Sequence, residues 1–119
     1  DRTSIQDGTV VHTLPHHPTT IGNDVTIGHM VHLEGCVIED KALVGSGSIV
    51  LHEAVIGREA LVGAQALVPN RKVVPPLARA LGIPCVIEEN AVTPGWFDYG
   101  RDSYVRRAIR YKNDLRLLE

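Results

Sequence analysis

Three residues of this chain, His12, His29 and Glu34, are of types that bind divalent metal ions, and the spacing around them brings two together. His12 and Glu34 each directly follow an aliphatic residue, Val11 and Leu33, that belongs to a series recurring along the chain. Counting Ile21, Ile27 and Leu33 onward from Val11 makes three steps, and three steps close one triangular coil. The two side chains therefore share a column, separated by roughly the 4.8 Å between adjacent strands, a spacing suited to two ligands of one ion. His29 lies two places after Ile27, on the adjoining face, where a neighbouring subunit is better placed than its own to bring it to the other two. The same count sets Asp7, two after Ile5, beside His29, where a carboxylate would orient an imidazole.

The column exists only because of the repeat. An aliphatic residue returns at Ile21, Ile27, Leu33, Ile38, Val44, Val50, Ile56, Val62, Val68 and Val74, every step being six except the step of five from Leu33 to Ile38. Gly22, Gly28, Gly45, Gly57 and Gly63 each follow one of these residues. A helix repeats at 3.6 and a strand at 2, so a sustained six is the mark of hexapeptide coils stacked into a parallel β-helix. Four places after each aliphatic stands a second core position, small or β-branched: Val25, Val31, Val37, Ala42, Ser48, Ala54, Ala60 and Ala66. With one Phe and one Trp in 119 residues there is little material for any other kind of core.

The hexads imply three segments. Residues 1–76 form the β-helix, interrupted between Val11 and Ile21 by an insertion carrying Leu14-Pro15-His16-His17-Pro18, an exposed loop by its prolines. Pro75-Pro76 ends the repeat, and residues 77–101 read as an irregular connecting segment. Residues 102–119 read as a helix, capped by Asp102 or Ser103, with Tyr104, Ala108, Tyr111, Leu115 and Leu118 on one seam. The chain opens directly in the repeat, so a capping coil is expected before Asp1. A net charge of −2 with mixed signs speaks against nucleic acid or an anionic membrane as partner. No apolar run reaches the length of a membrane span. Cys36 and Cys85 lack metal-site or redox spacing and fit small buried groups in a reducing cytoplasm.

The stretch Ile5-Gln6-Asp7-Gly8-Thr9-Val10-Val11-His12, then Ile27-Gly28-His29 and Leu33-Glu34-Gly35-Cys36, resembles the γ-class carbonic anhydrases and their close relatives. The likeness runs over roughly residues 4–86 and includes Val62-Gly63-Ala64-Gln65-Ala66-Leu67-Val68-Pro69. The resemblance implies a left-handed β-helix, although right-handed crossovers are the general rule, and a homotrimer with metal sites at its subunit interfaces. It implies that His12 and Glu34 bind the ion from one chain and His29 from its neighbour, and that Gln6 and Asp7 serve the site. The metal would be a divalent ion, zinc first, with Fe²⁺ or Co²⁺ as alternatives, and the activity reversible hydration of CO₂ to bicarbonate by a metal-bound hydroxide.

Three departures from the family pattern stand out. Glu34 occupies the position of a third histidine. Ser4 replaces an asparagine, and Ala80-Leu81-Gly82-Ile83-Pro84-Cys85 lacks an aromatic and an asparagine. A carboxylate remains a competent ligand, but it lowers the site's charge by one, so a bound water is less acidified and CO₂ hydration slower. His32 competes with Glu34 as third ligand but lies in a different phase of the hexad. Histidine as a residue type suits proton transfer near neutral pH, so His16 or His17 could replace the acidic shuttle residue of some family members, with solvated loop histidines as the plainer reading. Two other functions stay open: a hexapeptide acyltransferase using coenzyme A, and a non-catalytic scaffold that retains a degraded metal site.

Overall fold

The computed structural model describes residues 1–116. Its architecture is a left-handed parallel β-helix of about four turns, followed by one C-terminal helix. Each hexad contributes a strand of two or three residues to one of three flat faces. The first face stacks Ser4–Ile5, Thr26–Ile27, Leu43–Val44, Leu61–Val62 and Arg79–Leu81, all parallel, and adds Val86–Glu88 antiparallel at its end. The second stacks Val10–His12, His32–Glu34, Ile49–Val50 and Leu67–Val68. The third stacks Thr20–Ile21, Val37–Ile38, Val55–Ile56 and Val73–Val74.

In every coil from the second on, the recurring aliphatic points inward. Ile27, Leu33, Ile38, Val44, Val50 and Ile56 are at most 1% exposed, and each contributes roughly 1.5–3 kcal/mol by its burial. Ile5 and Val11 line the open first coil and remain about half exposed, at 50% and 45%. The small positions are buried as well, with one correction. Val37 is 38% exposed, and Cys36 fills the core in its place with no exposure. The five-residue step explains this, because deleting one residue after Leu33 moves the inward position back by one.

Apart from the insertion between Val11 and Ile21, the corners are turned by one residue each in the left-handed region, among them Asp24, Met30, Gly35, Lys41, Gly47 and Glu53. Side chains disfavour that conformation, and stacking compensates for it. The corner amides of Met30, Lys41, Gly47 and Glu53 donate to Asp7, Asn23, His29 and Gly35 carbonyls one coil earlier, at 2.8–3.0 Å.

Beyond Pro75-Pro76 the first face gains the hairpin of Arg79–Leu81 with Val86–Glu88, closed by an Arg79–Glu88 ion pair. The C-terminal helix spans Asp98–Asp114 and so begins a turn before Asp102. Neither Asp102 nor Ser103 caps it. Asp102 and Asp98 instead each lie 2.9 Å from the guanidinium of Arg101, which is 8% exposed and also reaches Asp24 of the β-helix at 3.6 Å. Burial alone would lower the Arg101 pKa, but Asp102, Asp98 and Asp24 outweigh it and hold it above the usual value. On the expected seam Tyr104 is half-buried, while Ala108, Tyr111 and Leu115 are exposed and Leu118 lies outside the described residues. Among the described residues no helix is long and apolar enough to cross a membrane.

Candidate metal centre

The second face carries the column expected from the hexads. Val10, Val11 and His12 pair in register with His32, Leu33 and Glu34. Leu33 is fully buried, so alternation along the strand turns His32 and Glu34 outward together. Glu34 therefore has His12 opposite it on the adjacent strand. It also has His32 on its own strand, with Nε2 and Oε2 3.7 Å apart. The hexad phase separates His32 from His12, and it does stand opposite Val10. The hexad count misses its approach to Glu34, although two-residue alternation within the strand carries the signal.

The backbone just after Glu34 is set by its neighbour in the chain. Gly35 is the left-handed corner of the shortened hexad (φ +58°), directly after Glu34. A Cβ there would lie 2.9 Å from the His17 carbonyl and 3.2 Å from the His52 Cβ, so a side chain does not fit. Thr19, on the return of the insertion, ties the two strands. Its hydroxyl donates to the His12 carbonyl at 2.6 Å and accepts the Gly35 amide at 2.8 Å, while that amide also reaches the His12 carbonyl at 3.1 Å.

His29 occupies the corner after the first-face strand, exposed. It is preceded by Gly28, where a Cβ would come within 2.8 Å of the Ser46 amide and hydroxyl, and its own amide donates to Ser46 Oγ at 3.2 Å. The register of Ile5 with Ile27, continued two places, sets Asp7 beside His29. The Met30 amide donates to the Asp7 carbonyl at 3.0 Å, and both Asp7 and His29 line one surface cleft with Gln6 and the helix residues Tyr104 and Arg107.

His16 and His17 stand on a tight bridge in which Leu14 and His17 exchange backbone hydrogen bonds at 3.1–3.2 Å. The His17 imidazole is engaged by Glu53, 3.4 Å away, and stacks over His52 with ring centroids 6.2 Å apart. Cys36 and Cys85 are free and buried, and desolvation pushes the Cys36 thiol up to about 11, far from the thiolate that a metal ligand needs.

An imidazole and a carboxylate in adjacent register form a nitrogen–oxygen donor pair that fits a divalent ion. Among the described residues, no three His, Cys, Asp or Glu side chains are grouped so as to hold a metal ion.

The fold and this outward column define a hexapeptide-repeat β-helix protein. No protein-family model matches the chain. Over 81 residues it is 58% identical to a probable carbonic anhydrase of Methanocaldococcus jannaschii, a match covering 68% of this chain and 51% of that protein. Two solved structures are similar over almost the whole chain. A Bacillus cereus protein provisionally named an acetyltransferase gives a TM-score of 0.89 at 37% identity, covering 94% of this chain and 66% of that one. A hexapeptide transferase family protein from Anaplasma phagocytophilum gives 0.82 at 33% identity, covering 97% and 67%. The chain spans between 20% and 51% of the length of the curated relatives it matches. It belongs to the γ-carbonic-anhydrase-like family of hexapeptide-repeat proteins.

Proposed function

We propose that this chain forms a homotrimer that holds a divalent metal ion, zinc first, at each subunit interface and catalyses reversible hydration of CO₂. The ligands are His12 and Glu34 of one subunit and His29 of the next. The observation that carries the reading is the in-register pairing of His12 with Glu34, joined to the 58% identity with a probable carbonic anhydrase. An ion held there supplies a Lewis acid that lowers the pKa of water. The remaining roles belong to the chain. Asp7, in the column of His29, orients that imidazole. Gln6 offers an amide to oxygen atoms at the site. Glu34, by carrying a charge where the family has a neutral imidazole, weakens the acidification of water while keeping the metal. His32 holds the Glu34 carboxylate from the side. The free, buried cysteines fit a reducing compartment, and we place the protein in the cytoplasm.

The names borne by the two structural neighbours favour a second reading, acyl transfer. One experiment separates the two. Protein prepared without added metal is sized by light scattering and analysed for metals, then assayed for CO₂ hydration and for acetyl-coenzyme A turnover. One zinc or iron per subunit in a trimer, with hydration and no coenzyme A release, supports the metal site. Metal-free trimers that release coenzyme A overturn it.

A further inference from the structure

Glu34 sets a problem that a histidine in its place would not. Its side chain faces outward on the second face, next to a row in which His32 stands between Val10 and Ile49. Val10 and Ile49 are both exposed, so this face offers a carboxylate flanked by apolar surface. The ionic neighbour of Glu34 within the subunit is His32, at 3.7 Å, a cation only when protonated. When a second copy closes over this face without metal, the carboxylate leaves water. A desolvated carboxylate without a cation is strongly destabilising.

The surface that meets it carries the opposite charge. The metal-site reading sets His29 of one subunit against His12 and Glu34 of the next, so whatever surrounds His29 meets the same strand. His29 lies in a cleft of about 320 Å³ shared with Gln6, Asp7, Tyr104, Arg107 and Tyr111. No other Lys or Arg lines this cleft, so Arg107 is its one permanent cation. The Arg107 guanidinium lies over the Tyr104 ring, 5.5 Å from its centre. On the same helix Arg101 and Arg110 have carboxylate partners, at 2.9 and 3.5 Å. Among the described residues Arg107 has none at ion-pair distance, Asp7 included. Tyr111 at the cleft and Met30 beside His29 in the chain are exposed, which adds uncovered apolar surface around the cation.

We infer that the cleft receives the Glu34 strand of a second copy, and that Arg107 of one subunit pairs with Glu34 of the next. The pair supplies the cation that Glu34 requires and holds the metal-free trimer together. Its placement rests on the metal-site reading, but its test needs no metal.

Chelator-treated full-length protein is sized by light scattering and sedimentation over a range of concentrations, at low and high ionic strength. The wild type should be a trimer that high salt weakens. Arg107→Gln and Glu34→Gln should each raise the concentration needed for assembly roughly tenfold or more, as expected for a close interfacial charge pair. The double variant should be no weaker than either single one, since both remove the same interaction. The reciprocal exchange, Arg107→Glu with Glu34→Arg, should recover assembly that each single reversal abolishes. Circular dichroism confirms that each variant keeps its coils.

Unchanged assembly in Arg107→Gln overturns the inference. So do additive losses in the double variant, or an exchange that fails to recover. A loss in Arg107→Gln that couples to Asp7→Asn instead of Glu34→Gln also overturns it, by putting the pair inside one subunit. A wild type that stays monomeric at every concentration, with or without added zinc, brings down the metal-site reading as well. A trimer that binds zinc but ignores Arg107 leaves that reading standing and removes this one alone.

Discussion

His12 and Glu34 stand opposite one another on adjacent parallel strands of the second face, one full coil apart along the chain. Their relation is fixed by backbone register, not by side-chain choice. The partners Val11 and Leu33 beside them are members of the core series, and a slip of one residue would turn the whole strand inside out. A substitution at either position therefore tests chemistry with little risk to the fold.

Glu34→Ala should lose metal affinity by at least the ten- to hundredfold that removal of a mere outer-shell partner costs. Glu34→His should keep the metal and raise CO₂ hydration, because a neutral ligand restores the ion's full charge. Metal analysis after dialysis and stopped-flow hydration with a pH indicator read the two effects. Equal metal retention in wild type and Glu34→Ala would remove Glu34 from the ligand set.

Thr19 joins the ends of the two site strands through a single hydroxyl, with contacts at 2.6 and 2.8 Å. Thr19→Val preserves shape and removes both bonds, so unfolding in urea should show a loss of about 0.5–1.5 kcal/mol. Metal should dissociate faster from this variant, whereas Thr19→Ser should behave as wild type. A Thr19→Val protein as stable as wild type would mean that the backbone alone sets the strand ends.

Arg101 is the buried link between the helix and the β-helix. Arg101→Met takes the guanidinium away from Asp98 and Asp102, while Asp24 keeps its pair with Arg2 at 2.6 Å. The loss should be about 1–3 kcal/mol, below the value for a fully buried pair because Asp98 and Asp102 are half exposed. Amide hydrogen exchange over 98–114 should accelerate while that of the coils stays slow.

The Cys36 thiol is raised by burial to about 11, above its ordinary value of 9.0. Below pH 9 both folded and unfolded thiols are neutral, so the contribution to stability is constant there. Between pH 9 and about 11 the unfolded thiol ionises and the folded one does not, so stability falls as pH rises through that window. Cys36→Ala should show a shallower alkaline decline in urea midpoints. Native Cys36 should also resist iodoacetamide at pH 8, which mass spectrometry of the modified protein checks.

The hexads carried the inward series and the His12–Glu34 column, because a period of six leaves few ways to stack a chain. They did not carry the corners. The left-handed residue falls on Asp24, Met30, Lys41, Glu53, Gln65 and Leu77, types with nothing in common. What holds each there is a hydrogen bond to another coil, which no local pattern records. The shift from Val37 to Cys36 in the core likewise comes from where the short corner closes, at Gly35.

The sequence by itself determined the coil, the column and the residue types able to bind an ion, since each depends on spacing along one chain. Only the tertiary structure decided that His32 lies against Glu34, that Thr19 ties the strand ends, and that Arg101 draws Asp24, Asp98 and Asp102 together. It alone set Arg107 and Tyr111 in one cleft with Asp7 and His29. Those relations join segments with no common period, so their distances are fixed only once the coils have stacked and the helix has docked.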